Sequence, residues 1–218
     1  MSGLFVTFEG GEGSGKTTQL KLLGTHLRAL AEEVVETRDP GGTTIGKEIR
    51  TLLLSPESAP MSDAAELLLY EASRAQLVRE VVAPSLARGA VVLCDRFTDS
   101  TLAYQGFGRG LDLDMIRRLN QFATDGLAPD LTVLLDLDPG MGLLRCTKGS
   151  GALPSSRDRI EAEPLDFHQR IREGYLGLAR DDPGRIRVID ARLSVAEVEM
   201  AVWDEFVRIK GFRTTVHG

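Results

Sequence analysis

Five short apolar runs punctuate the chain: Leu4-Phe5-Val6-Thr7-Phe8, Glu33-Val34-Val35-Glu36-Thr37, Ala90-Val91-Val92-Leu93-Cys94, Leu131-Thr132-Val133-Leu134-Leu135-Asp136 and Arg185-Ile186-Arg187-Val188-Ile189. Each is rich in β-favouring residues and too short for a helix of ordinary length, so each predicts a strand. The first, third and fourth are almost continuously apolar, as expected of strands covered on both faces. Between the runs the apolar spacing changes to that of a helix. Leu20, Leu23, Leu27 and Leu30 share one face of a helix predicted over Lys16–Ala31. Further helices are predicted over Thr44–Leu54, Ser62–Arg88, Ser100–Gln105, Asp112–Thr124, Pro139–Cys146, Pro164–Arg180 and Ser194–Ile209. Ser62 is placed as an N-cap, Ser194 with Glu197 as a capping box, and Gly89 as the glycine that ends a helix; Pro84 should bend its helix. Lys148–Ser156 is small, polar and glycine-rich, and reads as a mobile loop.

Strands alternating with helical connections imply right-handed parallel crossovers. The expected fold class is α/β: a doubly wound five-stranded parallel sheet with helices on both faces, in a single domain over residues 1–218. Ligands of such a sheet lie at the carboxyl ends of its strands.

Composition narrows the partners. Hydrophobic residues make up 42% of 218, enough for a full core, and the net charge of −6 argues against a nucleic-acid or membrane surface as the main partner. The first residues run straight into a strand and no apolar stretch approaches membrane-spanning length, so a cytoplasmic protein is expected. Cys94 lies in a strand and is expected as a buried free thiol, and no Cys/His spacing suggests zinc.

The chemistry starts between the first strand and the first helix. Gly10-Gly11-Glu12-Gly13-Ser14-Gly15-Lys16-Thr17-Thr18 fits the phosphate-binding loop, or P-loop, pattern in the strand–loop–helix setting it requires. Its glycines let successive backbone N–H groups face a phosphate, and the helix start adds unpaired N–H groups and partial positive charge. Lys16 suits the β- and γ-phosphates, and the Thr17 hydroxyl suits Mg²⁺. Arg38, Asp39, Asp95, Arg96 and Asp136 follow predicted strands and so converge on one rim. Arginines beside a P-loop match a phosphorylated acceptor, because a guanidinium fork fits phosphate oxygens in pairs.

The chain resembles the bacterial thymidylate kinases. The likeness runs through Phe8-Glu9-Gly10 and Gly15-Lys16-Thr17-Thr18, Thr37-Arg38-Asp39-Pro40-Gly41-Gly42-Thr43, Arg50-Thr51-Leu52-Leu53-Leu54 and Ala65-Glu66-Leu67-Leu68-Leu69-Tyr70-Glu71-Ala72-Ser73-Arg74. It continues through Asp95-Arg96-Phe97-Thr98-Asp99-Ser100-Thr101-Leu102-Ala103-Tyr104-Gln105-Gly106, the most selective run, and Arg157-Asp158-Arg159-Ile160-Glu161. The resemblance implies ATP- and Mg²⁺-dependent conversion of dTMP to dTDP by a homodimer formed through helices beside the long third one. It implies that Glu12 accepts from the deoxyribose 3′-hydroxyl, Tyr70 stacks on thymine, Arg74 donates to thymine O4 and Thr101 meets N3. Tyr104 would crowd out a ribose 2′-hydroxyl, Gln105 would lie along the base or sugar edge, and Arg38, Arg50 and Arg96 would hold the acceptor phosphate. Asp95 would orient Arg96 and meet Mg²⁺ through water. Because the P-loop itself contains no arginine, a lid over about residues 147–160 should supply one, with Arg157 the first candidate and Arg159, Arg145 and Lys148 nearby. The chain departs from the family pattern at Asp39 (usually Glu), at Tyr70 (usually Phe) and in a lid without an interior arginine. Two other classes compete: a kinase for adenylate, uridylate or guanylate, and a P-loop switch. Against the switch, no Asn-Lys-x-Asp motif is present, and neither Asp95 nor Asp136 is followed by glutamate.

Overall fold

The computed structural model describes residues 3–150 and 158–211. Five strands, β1 (Leu4–Glu9), β2 (Val34–Arg38), β3 (Val91–Asp95), β4 (Leu131–Asp136) and β5 (Ile186–Asp190), form one sheet in the order β2-β3-β1-β4-β5. Every pairing is parallel, with Phe8 beside Asp95 and Arg38 beside Asp95 at the carboxyl edge. β1 is central, so the loop after it opens at the reversal of strand order, where a doubly wound sheet forms its crevice.

Alternation along the strands separates two cores. Val6, Phe8, Val91, Leu93 and Val133 face α1 (Lys16–Ala29) and the C-terminal helix (Val195–Lys210), which contribute Leu20, Leu23, Leu27, Val202 and Phe206. Phe5, Val92 and Cys94 point the other way, against Leu77, Val78 and Val82. The Cys94 thiol is buried, as expected, and donates to the Arg96 carbonyl at 3.0 Å.

α2 (Thr44–Leu54) is capped by Thr43, whose hydroxyl accepts from the Gly46 N–H. The long helix predicted from Ser62 is three segments: α3 (Asp63–Leu77), a widened π turn (Val78–Val82) and α4 (Ala83–Ala87). Pro84 explains the widening, since it has no N–H and its ring collides with the carbonyl four residues earlier, inside that turn. Gly89 ends the run at φ +90°. After β3, α5 (Thr98–Thr101) starts two residues earlier than Ser100 and passes into a π-helical stretch, Leu102–Gly108, that carries Tyr104 and Gln105. α6 (Leu113–Thr124), α7 (Pro139–Ser150), α8 (Leu165–Asp181) and α9 (Val195–Lys210) complete the order, and the expected Ser194–Glu197 capping box is present. α7 runs beyond Cys146 into the segment read as loop, because extending an existing helix adds a hydrogen bond for each residue fixed. Arg157 lies outside the described residues.

Candidate active site

Strand β1 ends at Glu9, and the next six residues must turn into α1 without covering the sheet edge. Gly10, Gly13 and Gly15 do so at φ +135°, +66° and +95°, values that side-chain-bearing residues rarely adopt. Inside the turn, the Lys16 ammonium donates to the carbonyls of Gly10 (3.1 Å) and Gly11 (2.8 Å) and to the Ser14 hydroxyl (3.4 Å). Burial and the neighbouring Arg96 pull its pKa below the ordinary lysine value, with Glu12 and Asp95 opposing. Thr17 donates to the Asp95 carboxylate at 2.6 Å, bringing an α1 hydroxyl onto the end of β3. One hydroxyl and one carboxylate at the mouth of the loop fit Mg²⁺, which keeps waters and substrate phosphates as its other ligands. Among the described residues no group of three His, Cys, Asp or Glu side chains could hold an ion alone.

The P-loop opens into a cleft of about 720 Å³ lined by Glu12, Lys16, Thr17, Thr18, Arg38, Arg50, Asp95, Arg96 and Arg145, among others. Burial lowers the pKa of Arg50, and repulsion from Arg38 and Arg96 lowers it further, so three cations face one volume. That arrangement suits an anion. The Arg145 guanidinium is also tied to the Ala191 carbonyl at 3.0 Å.

Arg96 stands at the centre. Its φ of +73° lies in the left-handed region, unusual for a non-glycine residue. Its guanidinium donates to the Gly10 carbonyl (3.0 Å), Glu12 (2.7 Å), Ser100 (3.3 Å) and Tyr175 (3.2 Å), and stacks over the Tyr104 ring at 4.9 Å. Glu12 also accepts from the Tyr104 hydroxyl at 2.7 Å. Burial pushes the Glu12 carboxyl up, but Arg96 and Lys16 outweigh it and hold the pKa at about 2. Glu12 therefore joins the phosphate loop to the next cavity as a carboxylate.

That cavity, about 70 Å³, shares Glu12, Asp39, Arg50 and Arg96 with the cleft and adds Tyr70, Arg74, Ser100, Thr101, Tyr104 and Gln105. Tyr70 and Arg74 lie four residues apart on α3, so both turn towards it. Arg74 is almost wholly buried and donates to Asp39 (2.7 Å), Glu71 (2.9 Å), Asn120 (2.6 Å) and the Phe97 carbonyl (3.2 Å). A guanidinium has five N–H donors, so one is left for the cavity. The Thr101 hydroxyl is buried with no hydrogen-bond partner. An orphaned polar atom on a cavity wall is where a ligand's polar edge belongs.

The structure thus brings together the P-loop, Arg38, Asp39, Arg50, Tyr70, Arg74, Asp95, Arg96, Thr101, Tyr104 and Gln105 around two joined cavities. It turns other residues away. Arg159 is buried elsewhere, donating to the Leu53 carbonyl at 2.8 Å and lying 2.5 Å from Glu66. Asp136, which follows an apolar strand just as Asp95 does, is held by Arg172 in a two-point pair at 2.7 and 2.8 Å. Sequence reasoning missed Glu9, Ser100 and Tyr175. Glu9 is fully buried behind Arg96 and accepts from the Phe97 N–H (2.7 Å), the Ser100 hydroxyl (2.6 Å) and the Tyr175 hydroxyl (2.7 Å). Burial and then Asp99 push its pKa up to about 7. The one available signal was a carboxylate closing an apolar strand.

The thymidylate kinase family model matches residues 8–202. A thymidylate kinase of Gloeobacter violaceus is 58% identical over 192 residues, covering 88% of this chain and 89% of its own. One from Solidesulfovibrio magneticus is 54% identical, covering 92% and 97%. The crystal structure of thymidylate kinase from Ehrlichia chaffeensis superposes with a TM-score of 0.76 at 33% identity, covering 94% of this chain and 99% of that one. With the P-loop, the arginine-lined cleft and the adjoining cavity in the places the fold requires, the chain belongs to the thymidylate kinase family.

Proposed function

We propose that the chain transfers the γ-phosphoryl group of ATP to the phosphate of dTMP, giving ADP and dTDP. The observation that carries this reading is the union of two cavities: a P-loop cleft with three converging arginines opens through Glu12, Arg50 and Arg96 into a pocket lined by Tyr70, Arg74, Thr101, Tyr104 and Gln105. Donor and acceptor chemistry share a wall.

In the transfer, an oxygen of the dTMP phosphate bonds to the γ-phosphorus while the bond to the β–γ bridging oxygen breaks, its electron pair leaving with ADP. Binding both partners in line supplies much of the acceleration. Gly10, Gly11, Gly13, Ser14, Gly15, Lys16, Thr17 and Thr18 take the ATP phosphates, and Lys16 offsets charge on the β- and γ-oxygens. Arg38 and Arg50 hold the acceptor phosphate, with Arg96 between it and the moving group. Thr17 and Asp95 would hold Mg²⁺, which would supply neutralisation of phosphate charge. Glu12 orients the 3′-hydroxyl, Tyr104 closes the space a 2′-hydroxyl would need, and Tyr70, Arg74, Thr101 and Gln105 frame the base. Asp39 fixes Arg74. Arg157 supplies positive charge to the transition state. The enzyme works in the cytoplasm; no helix among the described residues is long and apolar enough to cross a membrane. It acts as a homodimer, a reading supported by Leu68 on α3 and Leu52 on α2, which stay about half exposed.

A phosphoryl-transfer assay over a panel of nucleoside monophosphates tests the activity. Strong preference for dTMP is expected, and Arg157→Ala should lower turnover by ~10³-fold or more. ATP hydrolysis indifferent to any monophosphate would refute the kinase reading, and unchanged turnover in the variant would move the arginine's role to another residue.

A further inference from the structure

Glu66 does not reach either cavity, yet it is almost fully buried and gathers one amide and two guanidinium groups, two from the π-helical stretch and its cap and one from the turn before α8. Its Oε1 accepts from Gln105 Nε2 at 2.8 Å and from Arg109 Nε at 3.2 Å. Its Oε2 accepts from Arg109 Nη2 at 3.1 Å and lies 2.5 Å from Arg159 Nη2. Burial works against the ionised form, but hydrogen bonds from Arg109 and Gln105 prevail and hold its pKa below the usual carboxylate value. An ionised carboxylate can only accept. The Gln105 amide therefore has one permitted orientation, its NH₂ towards Glu66, which leaves its carbonyl oxygen as the group free to serve the cavity it lines.

We propose that Glu66 is a positioning residue for base selection: it locks Gln105 as a hydrogen-bond acceptor on the wall of the acceptor pocket, and so favours pyrimidines with a ring N–H over cytosine. The inference rests on the dTMP reading above and deepens it. Thymine and uracil carry an N–H at ring position 3 and a carbonyl at position 4, whereas cytosine offers an acceptor nitrogen and an amino group. A fixed acceptor from Gln105 and the remaining donor of Arg74 match the first set and oppose the second at both points. The Thr101 hydroxyl can rotate to give or take a proton and enforces neither. A site built to pair with a substrate N–H strongly penalises an analogue that lacks it, because the buried partner is left unpaired.

The test compares kcat and KM for dTMP, dUMP and dCMP in the wild-type protein, Glu66→Gln, Gln105→Met and the double variant. In Glu66→Gln the two arginines claim the remaining carbonyl oxygen, so the new NH₂ faces Gln105 and turns its amide over. The ratio of kcat/KM for dTMP over dCMP should fall by on the order of tenfold or more, chiefly through the KM of dTMP, with the KM of ATP unchanged. Gln105→Met should lose the same selectivity, and the double variant should lose no more than Gln105→Met alone, as expected of residues acting in series. A uniform fall in turnover with the ratio intact, or losses that multiply in the double variant, would overturn the proposal. If Glu66→Gln fails to fold, Glu66→Asp keeps the charge facing Arg109 and Arg159 while drawing back from Gln105; retained selectivity there would equally overturn it. Wild-type protein that leaves dTMP unphosphorylated removes the underlying reading and this inference together, whereas dTMP turnover with unaltered selectivity in the variants removes only the inference.

Discussion

Arg96 shows how a single residue can be committed to function against local preference. A non-glycine residue at φ +73° costs on the order of 1–3 kcal/mol, and the surroundings hold it there through Gly10, Glu12, Ser100 and Tyr175. Arg96→Ala should cost at least ~10²-fold in kcat while retaining ATP binding, checked by steady-state kinetics and a nucleotide titration. Behind it, Glu9 gives a prediction with a definite sign. Its pKa is raised from 4.5 to about 7, so the native state keeps a proton that the unfolded chain releases. Stability contributed by that proton is complete below about 4.5 and is lost as pH rises through about 7, a decline on the order of 3 kcal/mol. Glu9→Gln should flatten this part of the stability curve, measured by denaturant unfolding at pH 5 and pH 8; an unchanged slope would assign the titration elsewhere. Residues like Glu9 and Glu66 were not legible in the sequence, because their partners are distant in the chain: for Glu9 they lie at the start of α5 and on α8, and for Glu66 on the π-helical stretch, just after it and before α8. Lys16 was legible because its partners Gly10, Gly11 and Ser14 lie within one loop whose spacing is itself the signal, and the same spacing marked Thr17 although its partner Asp95 lies on β3.

At the scale of elements, the P-loop is seated directly against α7. A Cβ added at Gly13 would collide with the carbonyl of Gly142, and one at Gly142 with the carbonyl of Glu12. The helix that carries Arg145 to the phosphate cleft is thus in backbone contact with the loop that holds the phosphates. Gly142→Ala must push that loop out of register, and it should raise the KM of ATP by roughly tenfold with a small change in unfolding midpoint, since few core contacts are lost. A large loss of stability with ATP binding intact would contradict this. Strand positions were read almost correctly because continuous apolar runs and period-two burial leave little choice. Helix ends were harder: the turn at Val78–Val82 depends on one ring–carbonyl collision, and the extension of α7 past Cys146 overrides weak local propensity.

For the whole molecule, a net charge of −6 surrounds a cleft faced by Arg38, Arg50 and Arg96. Binding an anion there relieves repulsion that folding has imposed, so dTMP should raise the unfolding midpoint in proportion to the logarithm of its concentration. At about 100 times Kd the gain is ~2.7 kcal/mol, measurable by thermal shift. A chelator should abolish turnover without lowering the midpoint of the protein alone, because Thr17 and Asp95 already satisfy each other. Arg74 carries a different consequence. It bonds to the turn after β2, to α3, to α6 and to the segment after β3, so the group we assign to the base also joins four parts of the domain. Altering it to accept a new base would leave Asp39 and Glu71 as buried carboxylates without their cation, at a cost of several kcal/mol. Inheritance and engineering alike must therefore widen or narrow the substrate range through residues that can vary independently of the scaffold, leaving this arginine as a constant around which other preferences evolve.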